Sequence, residues 1–156
     1  MKIRSYQSND CNEIIQLFYN TVHSVNIKDY SETQLDAWAT GTVDIIAWDK
    51  SLTENYAVIC EGNGVIIGFG DLDHTGHLDK LYVHKDYQRM GIATAIADDL
   101  ENYAIRNKLL IITTHASITA KSFFKKRGYL VLEKQQVKCG EQLLTNFVMA
   151  KYLKKT

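Results

Sequence analysis

The stretch Gly76–Ala97 reads GHLDKLYVHKDYQRMGIATAIA and predicts a strand, a polar turn and a helix in immediate succession. The strand is expected over His77–Val83, where apolar and polar side chains alternate. The small residues Gly91 and Ala93 allow the backbone to approach an anion closely. N–H groups of the first helical turn would point at that anion, and Arg89 can add a charge-assisted hydrogen bond. The segment therefore favours a phosphate-binding cradle, with the plainer alternative that Gly91 is only a turn residue before a helix.

The helix predicted after this turn is amphipathic. Its apolar residues recur at three- and four-residue spacing, with acidic and amide side chains between them. The apolar set is Ile92, Ala93, Ile96, Ala97, Leu100, Tyr103 and Ala104. Such a helix packs on a sheet, so the cradle is expected at a strand–loop–helix junction.

Two segments of the chain carry a family resemblance. Leu81–Ala93 resembles the acyl-CoA-binding motif of the bacterial-type GCN5-related N-acetyltransferases, the GNAT superfamily. The family consensus, Gln/Arg-x-x-Gly-x-Gly/Ala, is matched by Gln88, Gly91 and Ala93. Ala116–Tyr129 is similar to the helix and the glycine–aromatic turn that flank the pantetheine arm in this family. The two segments occur in the family's order, and the resemblance extends over nearly the whole chain.

The resemblance implies both a fold and a coenzyme. The fold is α/β, a mixed, mostly antiparallel seven-stranded sheet flanked by helices in the order β-α-α-β-β-β-α-β-α-β-β, with splayed central strands. Acetyl-CoA is the implied co-substrate, and backbone amides near Leu81–Val83 would hold its pantetheine arm and thioester carbonyl. The implied coenzyme-binding residues are Leu81, Tyr82, Val83, Gln88, Arg89, Met90, Gly91, Ile92, Ala93, Thr94, Ser117, Ala120 and Phe124.

Local signals predict the remaining elements. Asp10 is expected to cap a first helix, Ser31 and Gln34 to form a capping box on a second, and Glu61–Gly64 to turn a hairpin. Leu109–Thr114 follows a helix and is therefore expected to be a parallel strand. The other strands are predicted over Lys2–Tyr6, Tyr56–Cys60, Val65–Gly70, Tyr129–Val137 and Leu143–Lys151. With 156 residues, 46% of them hydrophobic, we expect one N-acetyltransferase domain over residues 1–156.

Acetyl transfer to an amine requires a base, because an alkylammonium group has a pKa of about 10. His77 and Asp79 stand two residues apart on a predicted strand, so we expect them on one face. The resemblance places them where the arylalkylamine branch of the superfamily carries two histidines, and His77 also matches the glutamate base position of the histone-acetylating branch. The alternative is that both are ordinary polar residues of a half-exposed strand.

Phe124 departs from the family pattern. The resemblance puts it where many members have a tyrosine that protonates the leaving thiolate, and phenylalanine has no proton to donate. Tyr129, Ser117 or water would then donate the proton, or the coenzyme would leave as a thiolate. The same departure motivates an alternative function, a non-catalytic acyl-CoA-binding regulatory or sensor domain. A different nucleotide-binding fold is not favoured, because Gly68–Gly70 lacks the next glycine of a dinucleotide motif and no phosphate-binding P-loop is present.

Composition constrains the partners. The 18 basic and 18 acidic residues balance, so neither nucleic acid nor a membrane surface is favoured, and no apolar run reaches membrane-spanning length. Three cysteines without CxxC spacing predict reduced thiols and a cytoplasmic location. No metal is expected, because the acidic residues and histidines of Asp71–His77 lack zinc-site spacing.

The acceptor is expected to be a primary amine of a small molecule or a peptide. Trp38 and Trp48 would either line its site or pack between helix and sheet. Pairing of the final strands between two copies would make a homodimer.

Overall fold

The computed structural model describes residues 1–154, in which seven strands form one sheet. The strands are β1 (Lys2–Ser5), β2 (Tyr56–Gly62), β3 (Val65–Leu72), β4 (His77–Val83), β5 (Ile111–Ser117), β6 (Leu130–Cys139) and β7 (Gln142–Tyr152). Their order across the sheet is β1-β2-β3-β4-β5-β7-β6, and only the central pair, β4 and β5, is parallel. The mixed, mostly antiparallel seven-stranded sheet is therefore confirmed.

Within residues 1–154, five helices flank this sheet: α1 (Cys11–Val25), α2 (Glu32–Trp38), α3 (Ile45–Glu54), α4 (Ile92–Arg106) and α5 (Lys121–Lys126). Short 3₁₀ turns at Ser8–Asp10 and Asn26–Lys28 precede and follow α1. The order matches the prediction except for α3, which is one helix more than expected. Asp44 begins it, since its Oδ1 accepts the N–H of Ala47 at 3.0 Å.

A separate hydrophobic core lies on each face of the sheet. Residues of α4 and α5 contribute to one core and residues of α1, α2 and α3 to the other. The predicted amphipathic face of α4 is confirmed, with Ile96 and Leu100 at 0% exposure. Helix α4 lies directly on β3, because a Cβ added at Gly68 would stand 2.8 Å from Ile92 Cγ2 and one added at Gly70 would stand 2.9 Å from Ile96 Cγ2.

Two of the predicted local signals are confirmed and one is wrong. Ser31 Oγ accepts the Gln34 N–H at 3.2 Å while Gln34 Oε1 accepts the Ser31 N–H at 2.9 Å, which completes the capping box. Asn63 and Gly64 turn the β2–β3 hairpin with φ of 54° and 77°. Asp10 does not cap α1: its carboxylate accepts the Gln7 N–H at 2.9 Å and so closes the preceding 3₁₀ turn.

Strand β6 forms one edge of the sheet and carries exposed Leu130, Val131 and Leu132. This is one of the two strands expected to pair between copies, and the homodimer stays a prediction. In the part of the chain that the structure describes, no helix is both long and apolar enough to span a bilayer.

Candidate active site

The sheet splits between its two central strands. Parallel pairing joins His77 to Thr113 and Leu78 to Thr114, and then ends. Beyond that point β4 stays paired with β3 as far as Val83, and β5 stays paired with β7 as far as Ser117. Thr114 Oγ1 donates to the Leu78 carbonyl at 2.9 Å, where the split begins. The splayed central strands are thus present, and they open a gap at the carboxyl ends of β4 and β5.

The edge of β4 that faces this gap carries backbone groups that β3 does not use. His84 N–H donates to the Ile67 carbonyl at 2.8 Å, so Tyr82, two residues earlier, also directs its N–H and C=O towards β3. By the same alternation Leu81 and Val83 direct theirs into the gap. The Val83 carbonyl accepts from Thr21 Oγ1 at 2.9 Å and from Gln88 Nε2 at 2.8 Å. The N–H groups of Leu81 and Val83 are therefore the ones placed to bind a ligand.

The predicted cradle lies at the same end of β4. Arg89 and Gly91 both have left-handed backbones, with φ of 62° and 79°, and α4 begins at Ile92. Gly91 is the N-cap residue and provides no side-chain cap, so the first N–H groups of α4 lack the acceptor that a capping side chain would supply. A Cβ at Gly91 would meet no atom within 4 Å, so the backbone there faces open space.

The side chains of the cradle divide into exposed and internal ones. Arg89, Met90 and Thr94 are exposed, whereas Ile92 is 3% exposed and packs in the core. Gln88 directs its carboxamide inward onto the carbonyls of Val83 and His84. The Gln88 side chain therefore stabilises the turn, and its backbone is the part left to bind a ligand.

The opposite wall of the gap is tied to the first helices. Ser117 Oγ accepts the Ala120 N–H at 3.0 Å and so shapes the turn into α5. The Ile118 N–H donates to Tyr30 Oη at 2.9 Å, and Tyr30 Oη donates to the Thr145 carbonyl at 2.6 Å. The segment between α1 and α2 is thereby fixed beside the carboxyl end of β5.

His77 stands where the split begins and is held from both sides. Its Nδ1 lies 3.0 Å from Thr113 Oγ1 on β5, and its backbone N–H donates to Asp73 Oδ1 at 3.0 Å. Within residues 1–154 its Nε2 has no hydrogen-bond partner, so that nitrogen is available to a substrate. The His115 ring lies 5.0 Å from the His77 ring, centroid to centroid, in an edge-to-face arrangement at 71°.

Asp79 occupies a β-bulge, so the regular alternation expected for β4 fails there. Leu78 pairs with Leu72 and Lys80 pairs with Asp71, which leaves Asp79 as the extra residue. Asp71, fully buried, accepts the Lys80 N–H at 2.9 Å and an Asn55 Nδ2 hydrogen bond at 3.0 Å. Burial raises the pKa of Asp71, and the nearby Lys80 ammonium partly opposes this.

The Asp79 carboxylate is already paired. Lys80 Nζ lies 2.7 Å from Asp79 Oδ2, 3.6 Å from Asp71 Oδ2 and 5.2 Å from the centroid of the Trp48 ring. The Lys80 ammonium therefore offsets the Asp79 charge and occupies one of its carboxylate oxygens. Of the two predicted base residues, His77 keeps a ring nitrogen without a hydrogen-bond partner within residues 1–154, whereas the Asp79 carboxylate is bound to Lys80.

Comparison with known proteins decides the family. The family model described as "Acetyltransferase (GNAT) domain" matches residues 26–151. The chain belongs to the GNAT family of N-acetyltransferases. The uncharacterized N-acetyltransferase YafP of Escherichia coli K12 is 31% identical over 150 residues, which cover 96% of this chain and 94% of YafP.

Solved structures of GNAT proteins share this fold. A GCN5-related N-acetyltransferase from Rhodopseudomonas palustris is 34% identical, with a TM-score of 0.93 over 97% of this chain and 95% of that one. The PaiA N-acetyltransferase of Thermoplasma acidophilum, solved in complex with coenzyme A, is 17% identical, with a TM-score of 0.79 over 97% of this chain and 98% of that one. At this identity the second similarity shows the fold alone.

In this GNAT domain, Tyr129 is not placed to protonate a leaving thiolate. It is 2% exposed, and its hydroxyl donates to Glu101 Oε2 at 3.0 Å beneath α4. Burial, with the Glu101 charge adding to it, raises the pKa of Tyr129. Phe124 packs against Tyr129 at 3% exposure, so its side chain presents almost no surface to a ligand. Among the described residues, the Ser117 hydroxyl oxygen accepts in the turn and its hydrogen has no acceptor, so that hydrogen is free to donate.

The structure of this GNAT domain brings Thr113 and His115 beside His77, and the sequence prediction included neither of them among the site residues. The sequence pattern predicts a strand that ends at Thr114, whereas β5 continues to Ser117, where it pairs with Asn146 of β7. A β-branched run marks only the first part of the strand, and the signal for the rest is the alternation of Thr113, His115 and Ser117 on one face.

Proposed function

We propose that this protein transfers the acetyl group of acetyl-CoA directly to a primary amine of a small molecule or peptide. The observation that carries the proposal is the gap between β4 and β5, which opens beside the uncapped start of α4. An elongated thioester fits such a gap, and a helix start that lacks a capping side chain suits a pyrophosphate. The GNAT family assignment and the coenzyme A complex of PaiA support this choice of coenzyme.

The proposed coenzyme site combines backbone and side-chain groups. The N–H groups of Leu81 and Val83 bind the pantetheine arm and the thioester carbonyl, while the backbone of Gln88–Thr94 binds the phosphates. Arg89 and Met90, both exposed, flank the phosphates. On the opposite wall Ser117 and Ala120 contact the pantetheine arm. Tyr82 and Phe124 support the site from below: Phe124 belongs to one hydrophobic core and Tyr82 packs against the other.

The proposed chemistry uses His77 as the base. Its Nε2 accepts a proton from the acceptor ammonium, and the amine nitrogen then attacks the thioester carbon. The N–H groups of Leu81 and Val83 stabilise the oxyanion of the tetrahedral intermediate. When that intermediate collapses, the attacking nitrogen loses its second proton, which passes through Ser117 or water to the thiolate. Asp79, bound to Lys80, contributes negative charge near the incoming cation and does not act as the principal base.

We also place the protein in the cytoplasm. Cys11, Cys60 and Cys139 are free thiols in the structure, and the first two are buried. Unpaired cysteines are typical of a reducing compartment, which supports this part of the proposal.

The test measures thiol release from acetyl-CoA with a panel of amines, amino acids, polyamines and peptides, alongside calorimetry of coenzyme binding. We expect turnover with at least one class of amine. His77→Ala should lower kcat by about 10²- to 10⁴-fold, the usual contribution of a general base, with little change in coenzyme affinity. His74→Ala is the matched control, because His74 is an exposed histidine in the loop before β4.

Other outcomes would lead elsewhere. Tight acetyl-CoA binding without transfer to any amine would favour the sensor function, to which Phe124 draws attention. Absence of binding would refute the coenzyme site itself.

A further inference from the structure

The balance of protons in the proposed reaction requires an exit route. An acceptor ammonium enters with three protons on nitrogen, and the amide product keeps one. Of the two that leave, one ends on the sulfur of coenzyme A when the C–S bond breaks, and the other must reach solvent. His77 receives a proton in each cycle and must lose one before the next.

His77 is poorly placed to deliver that proton to solvent by itself. It is half-buried, and Thr113 Oγ1 occupies its Nδ1 at 3.0 Å. The remaining nitrogen faces the position proposed for the acceptor amine. The substrate therefore covers this nitrogen until the acetylated product leaves, and His77 can pass its proton on only then.

His115 connects this half-buried ring to the surface. It follows Thr113 by two residues on β5 and so projects on the same face. Its side chain is exposed, and its ring is in edge-to-face contact with His77 at 5.0 Å between centroids. Within residues 1–154 no hydrogen bond holds the His115 ring, so it can turn between His77 and solvent.

The charges around His115 suit a proton carrier. Burial and the neighbouring His77 charge lower the pKa of His115, while Asp79 from β4 acts in the opposite direction. Lys80 is paired with Asp79, and Asp73 holds the His77 backbone. On β7 Val148 pairs with His115, and on β6 Glu133 pairs with Val148, so Glu133 is an acidic residue two strands away on that side. The lowered pKa favours the neutral ring, which has a lone pair to accept a proton and releases that proton readily to water.

We propose that His115 is the proton-exit residue of this site: it takes the proton that His77 removes from the acceptor amine and passes it to water or buffer. The inference rests on the proposed function. The first transfer leaves His77 neutral and His115 as an imidazolium, and the second restores both rings. Only bonds to the moving proton change: an N–H bond breaks on His77 and forms on His115, and that N–H bond then breaks as the proton binds water or buffer.

The experiment compares wild-type protein, His115→Gln and the control His74→Gln with an amine that the wild type acetylates. In dilute buffer we expect kcat of His115→Gln to fall about 10- to 100-fold, with the KM for the amine and the affinity for acetyl-CoA unchanged. Added imidazole should restore kcat saturably, because a small base replaces the missing carrier. Wild type and His74→Gln should not respond to imidazole.

The results separate the two proposals. Unchanged kcat in His115→Gln, or a loss that imidazole does not restore, overturns the inference and leaves the proposed function standing. A wild-type protein that acetylates no amine refutes the proposed function, and the proton-exit role with it.

Discussion

At the scale of single residues, Glu101 shows how a buried charge stabilises the fold beside the site. It is 7% exposed and accepts hydrogen bonds from Tyr129 Oη at 3.0 Å, Arg127 Nε at 3.0 Å and Lys151 Nζ at 2.7 Å. Three donors from different elements compensate the buried carboxylate, as burial of a charge requires. The cluster joins α4 to the turn after α5 and to the end of β7. The role of Tyr129 is thus structural.

Tyr129→Phe tests that role. Removing the hydroxyl leaves Glu101 with both cations, so we expect a loss of about 1 kcal/mol in the free energy of unfolding, measured by urea titration. We expect kcat for thiol release to stay within about twofold of wild type, because no proton passes through Tyr129. Tyr152→Phe is the control, since Tyr152 is 65% exposed. A tenfold fall in kcat with unchanged coenzyme affinity would indicate that Tyr129 donates a proton in the reaction.

At the scale of elements, the start of α4 depends on one backbone conformation. Gly91 has φ of +79°, where a side chain costs about 1–2 kcal/mol, although the space around it is open. Gly64, in the β2–β3 turn, has φ of +77° and equally open surroundings. A side chain would therefore meet similar backbone strain at either glycine, but only Gly91 adjoins the proposed phosphate site.

This match allows strain and binding to be separated. Gly91→Glu and Gly64→Glu should destabilise the protein by similar amounts, about 1–2 kcal/mol in urea titrations. Only Gly91→Glu should raise the dissociation constant of acetyl-CoA, by about 30-fold or more, equivalent to about 2 kcal/mol of charge repulsion in a partly hydrated site. Equal coenzyme affinity in the two variants, measured by calorimetry, would show that the phosphates do not bind at the start of α4.

The elements also show where sequence patterns succeed and fail. The alternation in His77–Val83 predicts the bounds of β4 correctly, because its buried residues pack on α4. The bulge at Asp79 was not predictable, since a buried side chain from β3, Asp71, accepts the Lys80 N–H there. The α3 helix packs on the core through Trp48 and Leu52. It was missed because the exposed Ile45 and Ile46 at its start obscure that apolar face in the sequence.

At the scale of the whole molecule, the sheet is continuous at one end and split at the other, with helices over both faces. Asp71 is buried on β3, the strand that contacts α1 and α4. Its carboxylate faces Lys80 Nζ at 3.6 Å and Asn55 Nδ2 at 3.0 Å, and burial still raises its pKa. The molecule therefore keeps an ionisable group in its interior at a cost in stability that depends on pH.

The sign of this dependence follows from proton binding. A carboxyl group whose pKa is raised in the folded state binds protons more readily folded than unfolded, so protonation stabilises the fold. The stabilisation is complete below the unfolded value of about 3.9 and is lost as pH rises through the higher folded value. Asp71→Asn has no such loss, because its carboxamide stays neutral. The variant should therefore gain stability relative to wild type between about pH 4 and pH 7.

The measurement is urea unfolding of wild type and Asp71→Asn at several pH values across that interval. In the variant the new carboxamide oxygen still accepts the Lys80 N–H, Asn55 turns its own oxygen towards the new amide, and Lys80 stays paired with Asp79. Asp86→Asn controls for the loss of one negative charge, since the Asp86 side chain is 64% exposed. If the free energies of unfolding of Asp71→Asn and wild type run parallel across the interval, Asp71 is held as a carboxylate throughout, and the Lys80 ion pair outweighs its burial.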